Sequence, residues 1–389
     1  MCLAFRGRVH NIGGYQSVDT KTEGNRFNAL YASLLFLQDW EYTGNVTLAR
    51  EFTYPLVSSL TEFFHCMLTR DSDDGLLHDY HDSGFEGGGD HSNDPTATNA
   101  LLRRMITFQL ALASDLKLKP PPWLRGMLTD LVPLPIVASP ALAGQEVWAG
   151  GGAPWKFSTR ACSGSGSCDP FFPVFPSELI NPRTANDRVK RIANATAWTY
   201  THNMSRPELL NFSDSHVHVL DLAVFWSFVI RSSTNETAEA VVRAFIADSA
   251  SRIGPNLVKY ATGGGTENAG LAQAINDMLL SSDIGGAIQL FPCWPSKHPA
   301  RFVQLRAKGG HLVSARWDNV TRTVADVVVA STSLAADGRS RTIRLLNPWN
   351  GAPARVDCGR SSAMLMASGS QWLEWRAQVG VDCHVERAG

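Results

Sequence analysis

Two glutamates, each in a glycine-rich polar stretch beside hydrophobic helical segments, are the residues of this chain best suited to catalysis. Glu86 lies in residues 81–95, which read His-Asp-Ser-Gly-Phe-Glu-Gly-Gly-Gly-Asp-His-Ser-Asn-Asp-Pro, and Glu267 lies in residues 263–270, which read Gly-Gly-Gly-Thr-Glu-Asn-Ala-Gly. Glycine permits tight backbone geometry, and loops on a rigid scaffold are where catalytic groups concentrate. Hydrolysis of a glycosidic bond requires two converging carboxylates, one to protonate the leaving oxygen and one to activate water or attack the sugar. The two glutamates therefore predict glycosidic bond hydrolysis.

Each glutamate also has a simpler interpretation. Glu86 is able to serve as a solvated carboxylate on a loop, since glutamate is mostly exposed in proteins. Glu267 is able to stabilise the start of the following helix, because carboxylates are favoured at helix N-termini. Both interpretations stay open beside catalysis.

Several polar or aromatic residues are candidates for contacts with a sugar. They are able to bind sugar hydroxyls or stack on a sugar face, and equally to satisfy turns and caps or to pack in a core. We predict substrate-binding roles for Asp90, Asn93, Asn99, Thr266, Asn268 and Trp294.

Two other kinds of site are disfavoured. His78, His81 and His91, with nearby aspartates, match no tight zinc-ligand spacing, so no metal is predicted. The three glycines at 263–265 are not followed by Gly-Lys-Ser/Thr, and no strand precedes them, so no phosphate loop and no cofactor are predicted.

Composition and charge indicate a globular protein with a neutral or small partner. The chain has 389 residues, 44% of them hydrophobic and 18% charged, and its formal net charge is -1. A net charge this close to zero gives no excess of positive charge that would attract nucleic acid or an anionic membrane. The longest apolar stretch, residues 217–230, contains His218 and Asp221 and is shorter than the roughly 20 residues of a membrane-spanning helix. Neither nucleic acid nor a membrane is therefore the expected partner, and the predicted glycosidic bond hydrolysis makes an oligosaccharide or polysaccharide the expected substrate.

Sequons and cysteines favour a secreted glycoprotein. Six Asn-x-Ser/Thr sequons without proline in the middle position occur at Asn45, Asn194, Asn203, Asn211, Asn235 and Asn319. Among seven cysteines, the spacings of Cys162 with Cys168 and of Cys358 with Cys383 fit two disulfides better than a metal site. Scattered thiols of a cytosolic protein are the alternative. Because residues 1–6 lack the plan of a signal peptide, we expect an N-terminally truncated chain.

Apolar residues keep a helical period through most of the first 290 residues. Steps of three and four join Leu101, Met105, Phe108 and Leu112, and a similar series runs through residues 48–67. Further helices are predicted at 187–201, 216–231, 236–251 and 269–280, with no strand between them. Their succession as pairs is typical of a toroid of helical hairpins, and the long loops suggest a binding surface.

The character of the chain changes after Pro295. Short β-type runs follow at 302–305, 311–317, 323–331, 342–346 and 363–367, and Asp318-Asn319 separates two of them as a hairpin turn would. We therefore predict a helical catalytic region at residues 1–295 and a small antiparallel β-domain at 296–389.

A series of short motifs, which follow one another in the same order through most of the chain, resembles motifs of glycoside hydrolase family 95, the α-L-fucosidase and α-L-galactosidase family. Residues 40–45 (Trp-Glu-Tyr-Thr-Gly-Asn) and 54–56 (Tyr-Pro-Leu) resemble its Tyr-x-x-Thr-Gly-Asp and Tyr-Pro-x-Leu helices. Residues 83–86 and 95–99 fall where the family has Ser-Pro-Glu and Pro-Thr-Met-Asp-Asn. Later, 268–280, 290–295 and 305–310 resemble Asp-Gly-Asn-x-Gly with Glu-Met-Leu-Leu, Leu-Leu-Pro-Ala-Leu-Pro and Leu-Arg-Ala-Arg-Gly-Gly.

This resemblance implies a mainly α fold, an (α/α)6 toroid of helical hairpins followed by a β-sandwich, and an inverting mechanism. Glu86 takes the place of the family's general acid. The place of the catalytic aspartate falls on Thr266, with Glu267 one residue later, so the chain departs from the family at the base. The family's water-holding Asn-x-Asn segment and its N-terminal β-domain have no match here.

The sequence thus predicts a secreted inverting glycoside hydrolase that cleaves a terminal α-linked sugar, such as an α-L-fucoside or α-L-galactoside. A non-catalytic carbohydrate-binding relative that has lost the base is the alternative, and Thr266 is its main support. A polysaccharide lyase, with tyrosine or histidine as base, is a further alternative.

Overall fold

The structure is a computed structural model, and it describes residues 26–80, 82, 93–149, 169–183, 185–203, 219–233, 237–250, 267–334, 338, 340–359, 364–366, 369 and 371–388. The chain divides into two compact units, each made of several segments. The first unit comprises residues 1–35, 52–232 and 251–271, and the second comprises 36–51, 233–250 and 272–389. The domain boundary between residues 295 and 296 stays a prediction.

Helices dominate the described residues before residue 280. Between α2 and α3 the chain makes a π-helical turn at Ala49–Thr53, and a 3-10 turn occupies Asp169–Phe171. The α-helices are α1 (Phe27–Thr43), α2 (Val46–Leu48), α3 (Tyr54–Met67), α4 (Thr96–Asp115), α5 (Leu124–Asp130), α6 (Asp187–Asn203), α7 (Val219–Ser232), α8 (Ala238–Ala250) and α9 (Glu267–Leu279).

Helix α4 is the central element of the first unit. Its predicted stripe is confirmed, since Leu101, Met105, Phe108 and Leu112 are all buried. Burial extends to other faces of the helix, which packs against α3 and α5. One polar link lies in this packing: Thr61 Oγ1 donates to Gln109 Oε1 at 2.7 Å. A helix buried on several sides places its N-terminal residues in a rigid setting.

Two short hairpin-like sheets lie between the helices of the first unit. Strand β1 (Thr69–Arg70) pairs antiparallel with β2 (Leu77–His78), and β3 (Ile136–Ala138) pairs antiparallel with β4 (Glu146–Trp148). Leu77 also forms a parallel bridge with Leu131. All four strands lie before residue 187, outside the region of the helices predicted at 187–280 with no strand between them, and the sequence patterns did not predict them. Strands of two or three residues are too short to show an alternating pattern in the sequence.

The second unit contains two larger sheets. One has the strand order β13-β10-β6-β5, and the other has the order β12-β11-β14-β9-β8-β7. The strands are β5 (Leu280–Ser282), β6 (Ala287–Leu290), β7 (Ala300–Ala307), β8 (His311–Asp318), β9 (Thr323–Ser331), β10 (Thr342–Leu346), β11 (Ala354–Asp357), β12 (Met364–Met366), β13 (Trp372–Arg376) and β14 (Asp382–Arg387).

The two sheets share one apolar core. Ile288, Leu345 and Leu373 come from the four-stranded sheet, while Val313 and Val329 come from the six-stranded sheet, and all five are fully buried. Each predicted β-type run corresponds to a strand, and the turn at Asp318-Asn319 joins β8 to β9 as predicted. The smaller sheet is mixed, because β6 pairs parallel with β10.

The predicted fold class is wrong. An (α/α)6 toroid needs two helices for each of its six hairpins, whereas the described residues contain eight α-helices of seven residues or more. About a quarter of the described residues are in strands, which are distributed over several sheets. Helical periodicity located individual helices correctly, but it carries no information about how many of them close into a ring.

Disulfide predictions have different outcomes. Cys358, after β11, is bonded to Cys383 in β14, as predicted. Cys162 and Cys168 lie outside the described residues. Cys66 is also disulfide-bonded, and Cys293 is a buried free thiol.

Within the second unit, the turn after β7 holds the C-terminal end of α1. Gly44, at φ +67°, closes the helix by donating its N–H to Trp40 O at 2.8 Å. Gly309 N donates to Glu41 O at 2.7 Å, and Lys308 Nζ lies 2.8 Å from Glu41 Oε2, with both side chains buried. The segment at 305–310 that resembles Leu-Arg-Ala-Arg-Gly-Gly therefore has a structural role in this chain.

In the described part of the chain, none of the helices combines the length and apolar character that a membrane span requires.

Candidate active site

The side chains of the predicted catalytic residues lie outside the structural description. Glu86, Asp90 and Thr266 fall outside the described residues altogether. Glu267 and Asn268 are the first two residues of α9, where the backbone is described and the side chains are not. Their catalytic and binding roles, and the spacing of the two glutamates, stay predictions.

Two buried aspartates, Asp82 and Asp94, lie on either side of residues 83–92. On the N-terminal side, the fully buried Asp82 accepts hydrogen bonds from Arg26 N at 3.2 Å and from Thr98 Oγ1 at 2.6 Å. Thr98 lies in the first turn of α4. The segment that contains Glu86 therefore begins at a carboxyl group tied to a buried helix.

On the C-terminal side, Asp94 is tied to Asp79 and His78. The backbones of Asp94 and Asp79 are joined by the bond from Asp94 N to Asp79 O at 2.8 Å. Asp94 Oδ1 accepts from Asp79 N at 2.8 Å, and its Oδ2 lies 2.7 Å from His78 Nδ1. Both ends of residues 83–92 thus meet in one cluster, which we call the polar frame: Arg26, His78, Asp79, Asp82, Asp94 and Thr98.

Arg26 is the cation that faces the buried carboxyls of the frame. Its Nη1 forms an ion pair with Asp79 and also donates to Tyr80 O at 3.1 Å. Burial raises the pKa of Asp79 well above its usual value, and the negative charge of Asp82 adds to this effect, while Arg26 opposes it. The raised pKa of Asp79 reflects two neighbouring buried carboxyl groups that share one nearby guanidinium.

His78 lies at the edge of the frame, between two carboxylates. Its Nε2 is 3.1 Å from Asp74 Oδ2, and the Tyr80 ring stacks on it with 5.3 Å between centroids. Burial lowers the pKa of His78, but the hydrogen bond and charge of Asp94, with a smaller contribution from Asp74, outweigh it and raise the pKa above its ordinary value. Burial raises the pKa of Asp94, against the hydrogen bonds from Asp79 N and His78.

Asn99 and Asn93 differ in how much the structure defines them. Asn99 is buried in α4, where its Nδ2 donates to Val132 O at 2.9 Å and its Oδ1 accepts from Arg103 Nε at 2.8 Å. Both polar ends of Asn99 are thus bonded to the protein, which is the capping and turn role weighed against sugar binding. Asn93 is half-buried in a bend beside Asp94.

Trp294 belongs to the second unit. It packs against the apolar core of the two sheets, and its Nε1 donates to His298 O at 2.9 Å. The ring is half-buried, so it has the core-packing role weighed against sugar stacking. Sugar binding by Trp294 and Asn99 stays a prediction.

Sequence reasoning missed the frame as a unit. His78, Asp79 and Asp82 were considered only as possible metal ligands, and no role was predicted for Arg26. In the described part of the chain, no group of three or more His, Cys, Asp or Glu side chains has a geometry that would hold a metal ion. Pairing of residue 26 with residues 79 and 82 spans more than fifty positions, and a single sequence carries no signal for it.

The chemistry available to the frame follows from its burial. Asp79 is 6% exposed and Asp82 is 0% exposed, so neither carboxyl reaches a substrate in solution. Their hydrogen bonds fix the chain direction at both ends of residues 83–92. The frame therefore holds the backbone on both sides of residues 83–92 and does not itself offer an accessible carboxyl group.

Among known proteins, similarity to this chain is found among solved structures. No protein-family model matches the chain, and no curated protein matches it. The chain is similar to a solved structure assigned as a kojibiose phosphorylase from the human microbiome, with 10% sequence identity and a TM-score of 0.45. The similarity covers 90% of this chain and 46% of that chain, so this chain spans less than half the length of that protein. At that TM-score the similarity assigns no function, and the resemblance to family 95 stays a proposal.

Proposed function

We propose that this protein is a glycoside hydrolase that cleaves a terminal α-linked sugar of an oligosaccharide or polysaccharide with inversion. The ordered motifs that resemble family 95 support the α-L-fucoside or α-L-galactoside class. The structural observation that carries the proposal is the polar frame, because it anchors both ends of the segment that contains Glu86. Burying several ionisable groups is costly unless they are paired, so such an arrangement is typical of a site that must be positioned.

In this proposal the two glutamates have opposite roles. Glu86 donates a proton to the leaving oxygen. Glu267, with Asn268 or Thr266 beside it, polarises a water molecule on the opposite face of the sugar, and the two carboxyl groups stand about 6.5–9.5 Å apart. Glu267 is the first residue of the 13-residue helix α9, and the helix dipole favours an ionised carboxylate there. An ionised carboxylate is the state that a base requires.

The test is product release from a panel of aryl α- and β-glycosides, led by α-L-fucoside and α-L-galactoside. Glu86→Gln keeps the shape of the side chain and removes its acid, so turnover of substrates with poor leaving groups should fall by roughly 10²–10⁴-fold. Glu267→Gln should slow all substrates. Glu62→Gln makes the same change at an exposed position of α3 and should leave turnover unchanged.

The stereochemistry of the product separates the mechanisms. Inversion predicts that the first-formed sugar has the anomeric configuration opposite to that of the substrate, which proton NMR records directly. Assays with and without inorganic phosphate distinguish water from phosphate as the nucleophile. An unsaturated product would instead identify a lyase, and unchanged turnover in Glu86→Gln would remove that residue from the mechanism.

A sugar-binding protein without catalysis is the second candidate, and Thr266 at the place of the family's aspartate favours it. Titration of the folded protein with the same sugars would then give measurable affinity with no release of product. Mutation of Glu86 would leave that affinity largely unchanged.

We also propose that the protein is secreted and glycosylated. The disulfide between Cys358 and Cys383 supports an oxidising compartment, and the six sequons agree with it. Detection of the protein outside the cells that make it, with this disulfide intact, tests the proposal. A reduced, intracellular protein would contradict it.

A further inference from the structure

Three of the sequons have both the asparagine and its hydroxyl partner among the residues whose side chains are described. They begin at Asn45, Asn194 and Asn319. Transfer of an N-linked oligosaccharide needs access to the asparagine Nδ2 and to the threonine two positions later. The three sites differ in this access.

Asn319 lies at the tip of the hairpin that joins β8 to β9. Asp318 Oδ1 accepts from Val320 N at 2.9 Å and from Thr321 N at 3.0 Å, which holds the turn. The hydrogen bond from Thr321 N, with help from Arg316 and Val320 N, lowers the pKa of Asp318 to about 2, so the turn keeps its acceptor at physiological pH. Thr321 is exposed, and Val320 is 86% exposed.

The bonds of Asn319 are compatible with a glycan. Its Nδ2 donates to Lys297 O at 3.2 Å. A glycosylated amide keeps one of its two hydrogens, so this bond and the glycan can coexist. An oligosaccharide there would also cover the apolar side chain of Val320.

Asn45 is accessible for a different reason. It is exposed at the start of α2, and its Oδ1 accepts from Leu48 N at 3.1 Å. Glycan attachment uses Nδ2 and leaves Oδ1 in place, so the helix cap is retained. Thr47 is exposed as well.

Asn194 provides an internal contrast. The asparagine is exposed on α6, but its partner Thr196 is 0% exposed. Thr196 Oγ1 donates to Ile192 O at 2.7 Å and accepts from Trp148 N at 3.2 Å, between α6 and β4. Once this part of the first unit has folded, the hydroxyl of the sequon is sealed.

We propose that Asn45 and Asn319 carry N-linked oligosaccharides and that both sites remain open to modification in the folded protein, whereas Asn194 is open only before folding. The proposal rests on the secretion proposed above. In the transfer, Nδ2 bonds to C1 of the first sugar of a lipid-pyrophosphate-linked oligosaccharide. The bond from C1 to the pyrophosphate oxygen breaks, the lipid pyrophosphate leaves, and Nδ2 loses one proton.

Site occupancy is measured on the full chain directed to the secretory pathway of a eukaryotic cell. Enzymatic release of glycans in ¹⁸O-water converts each glycosylated asparagine into ¹⁸O-labelled aspartate, which peptide mass spectrometry locates. Label at residues 45 and 319 is expected. Absence of label at either residue in folded, secreted protein would overturn the proposal. The readout is independent of turnover, so failure of the hydrolase proposal does not affect it.

Two further measurements test the contribution of the fold. Folded, unglycosylated protein is offered to an oligosaccharyltransferase with the lipid-linked donor, and we expect modification of Asn45 and Asn319 but not of Asn194. Heat-unfolded protein should accept glycans at all three. Equal modification of Asn194 in the folded protein would contradict the role assigned to burial of Thr196.

Threonine variants are the cleanest controls, because they leave the bonds of both asparagines intact. Thr47→Ala should remove only the label at residue 45, and Thr321→Ala should remove only the label at residue 319. Thr129→Ala changes an exposed threonine outside any sequon and should keep both labels. Persistence of label in Thr321→Ala would show that Asn319 is modified by a different chemistry.

Discussion

The apolar core of the second unit and the polar frame of the first are both buried, but they depend on different physics. Twenty buried apolar residues form the core of the two sheets, and their stabilisation is non-directional and proportional to buried area. The frame is built from an arginine, a histidine, three aspartates and a threonine, which depend on direction and on protonation state. Apolar burial therefore supplies stability, and polar burial supplies a defined geometry that responds to pH.

The largest expected effect lies in the apolar core. Leu345 is fully buried in β10, so Leu345→Ala should lower the free energy of unfolding by about 2–5 kcal/mol. Chemical denaturation monitored by tryptophan fluorescence measures the change. Val320→Ala, at an 86% exposed position, is the control and should have little effect. Equal effects of the two changes would contradict the assignment of the core.

In the frame, loss of one hydrogen bond at constant shape is the sharpest test. Thr98→Val removes the donor to Asp82 Oδ2, and a buried carboxyl oxygen that loses its partner should cost about 1–3 kcal/mol of stability. Thr129→Val removes an exposed hydroxyl bonded to Arg125 O and should cost less. If Thr98→Val has no effect in denaturant titrations, the frame does not depend on this bond.

The frame should also respond to pH through Asp79, unlike the core. Because its folded pKa is raised above the ordinary value of 3.8, the stability it contributes is present below that value and is lost as pH rises through the folded pKa. Asp79→Asn does not titrate. The melting temperature of this variant relative to the native protein should therefore increase between pH 4 and pH 8. A constant difference across this range would contradict a raised pKa of Asp79.

A smaller effect of the same sign is expected at His78. Its raised pKa means that its contribution to stability is present below about pH 6.5 and is lost at higher pH, as the imidazole loses its proton between Asp94 and Asp74. In His78→Gln this part of the pH dependence should disappear. His65→Gln alters an exposed imidazole stacked on Trp123 and serves as the control. Identical melting profiles for native protein and His78→Gln would count against the ion pair.

Sequence patterns located elements whose signal is local and long. The predicted runs 323–331 and 342–346 coincide with β9 and β10, because alternating β-branched and polar residues match a half-buried strand. The helix predicted at 187–201 is α6, which ends at Asn203. Strands that depend on a partner far away in the sequence were not predicted. Strand β6 is held by β10, more than fifty residues later, and the two-residue strand β2 is held by β1 and by Leu131.

For the candidate site too, the sequence reveals local features but not the contacts that folding creates. Glycine-rich segments around Glu86 and Glu267 are visible in the sequence because glycine and polar residues interrupt helical periodicity. That Asn99 would bond Val132 O, or that Trp294 would pack against the core of the two sheets, depends on contacts that no local pattern encodes.

The amino-acid sequence alone determined the long helical and extended segments of this chain, such as α6 and β9, and the positions of its cysteines and sequons. Each of these depends on the spacing of residue types along the chain. The tertiary structure decided that the helices do not form the predicted toroid and that Arg26 contacts Asp79 and Asp82. It also decided that the side chain of Thr196 is buried while that of Thr321 is exposed. These features arise from burial and from bonds between distant residues, and their free energies exist only when the folded chain brings those residues together.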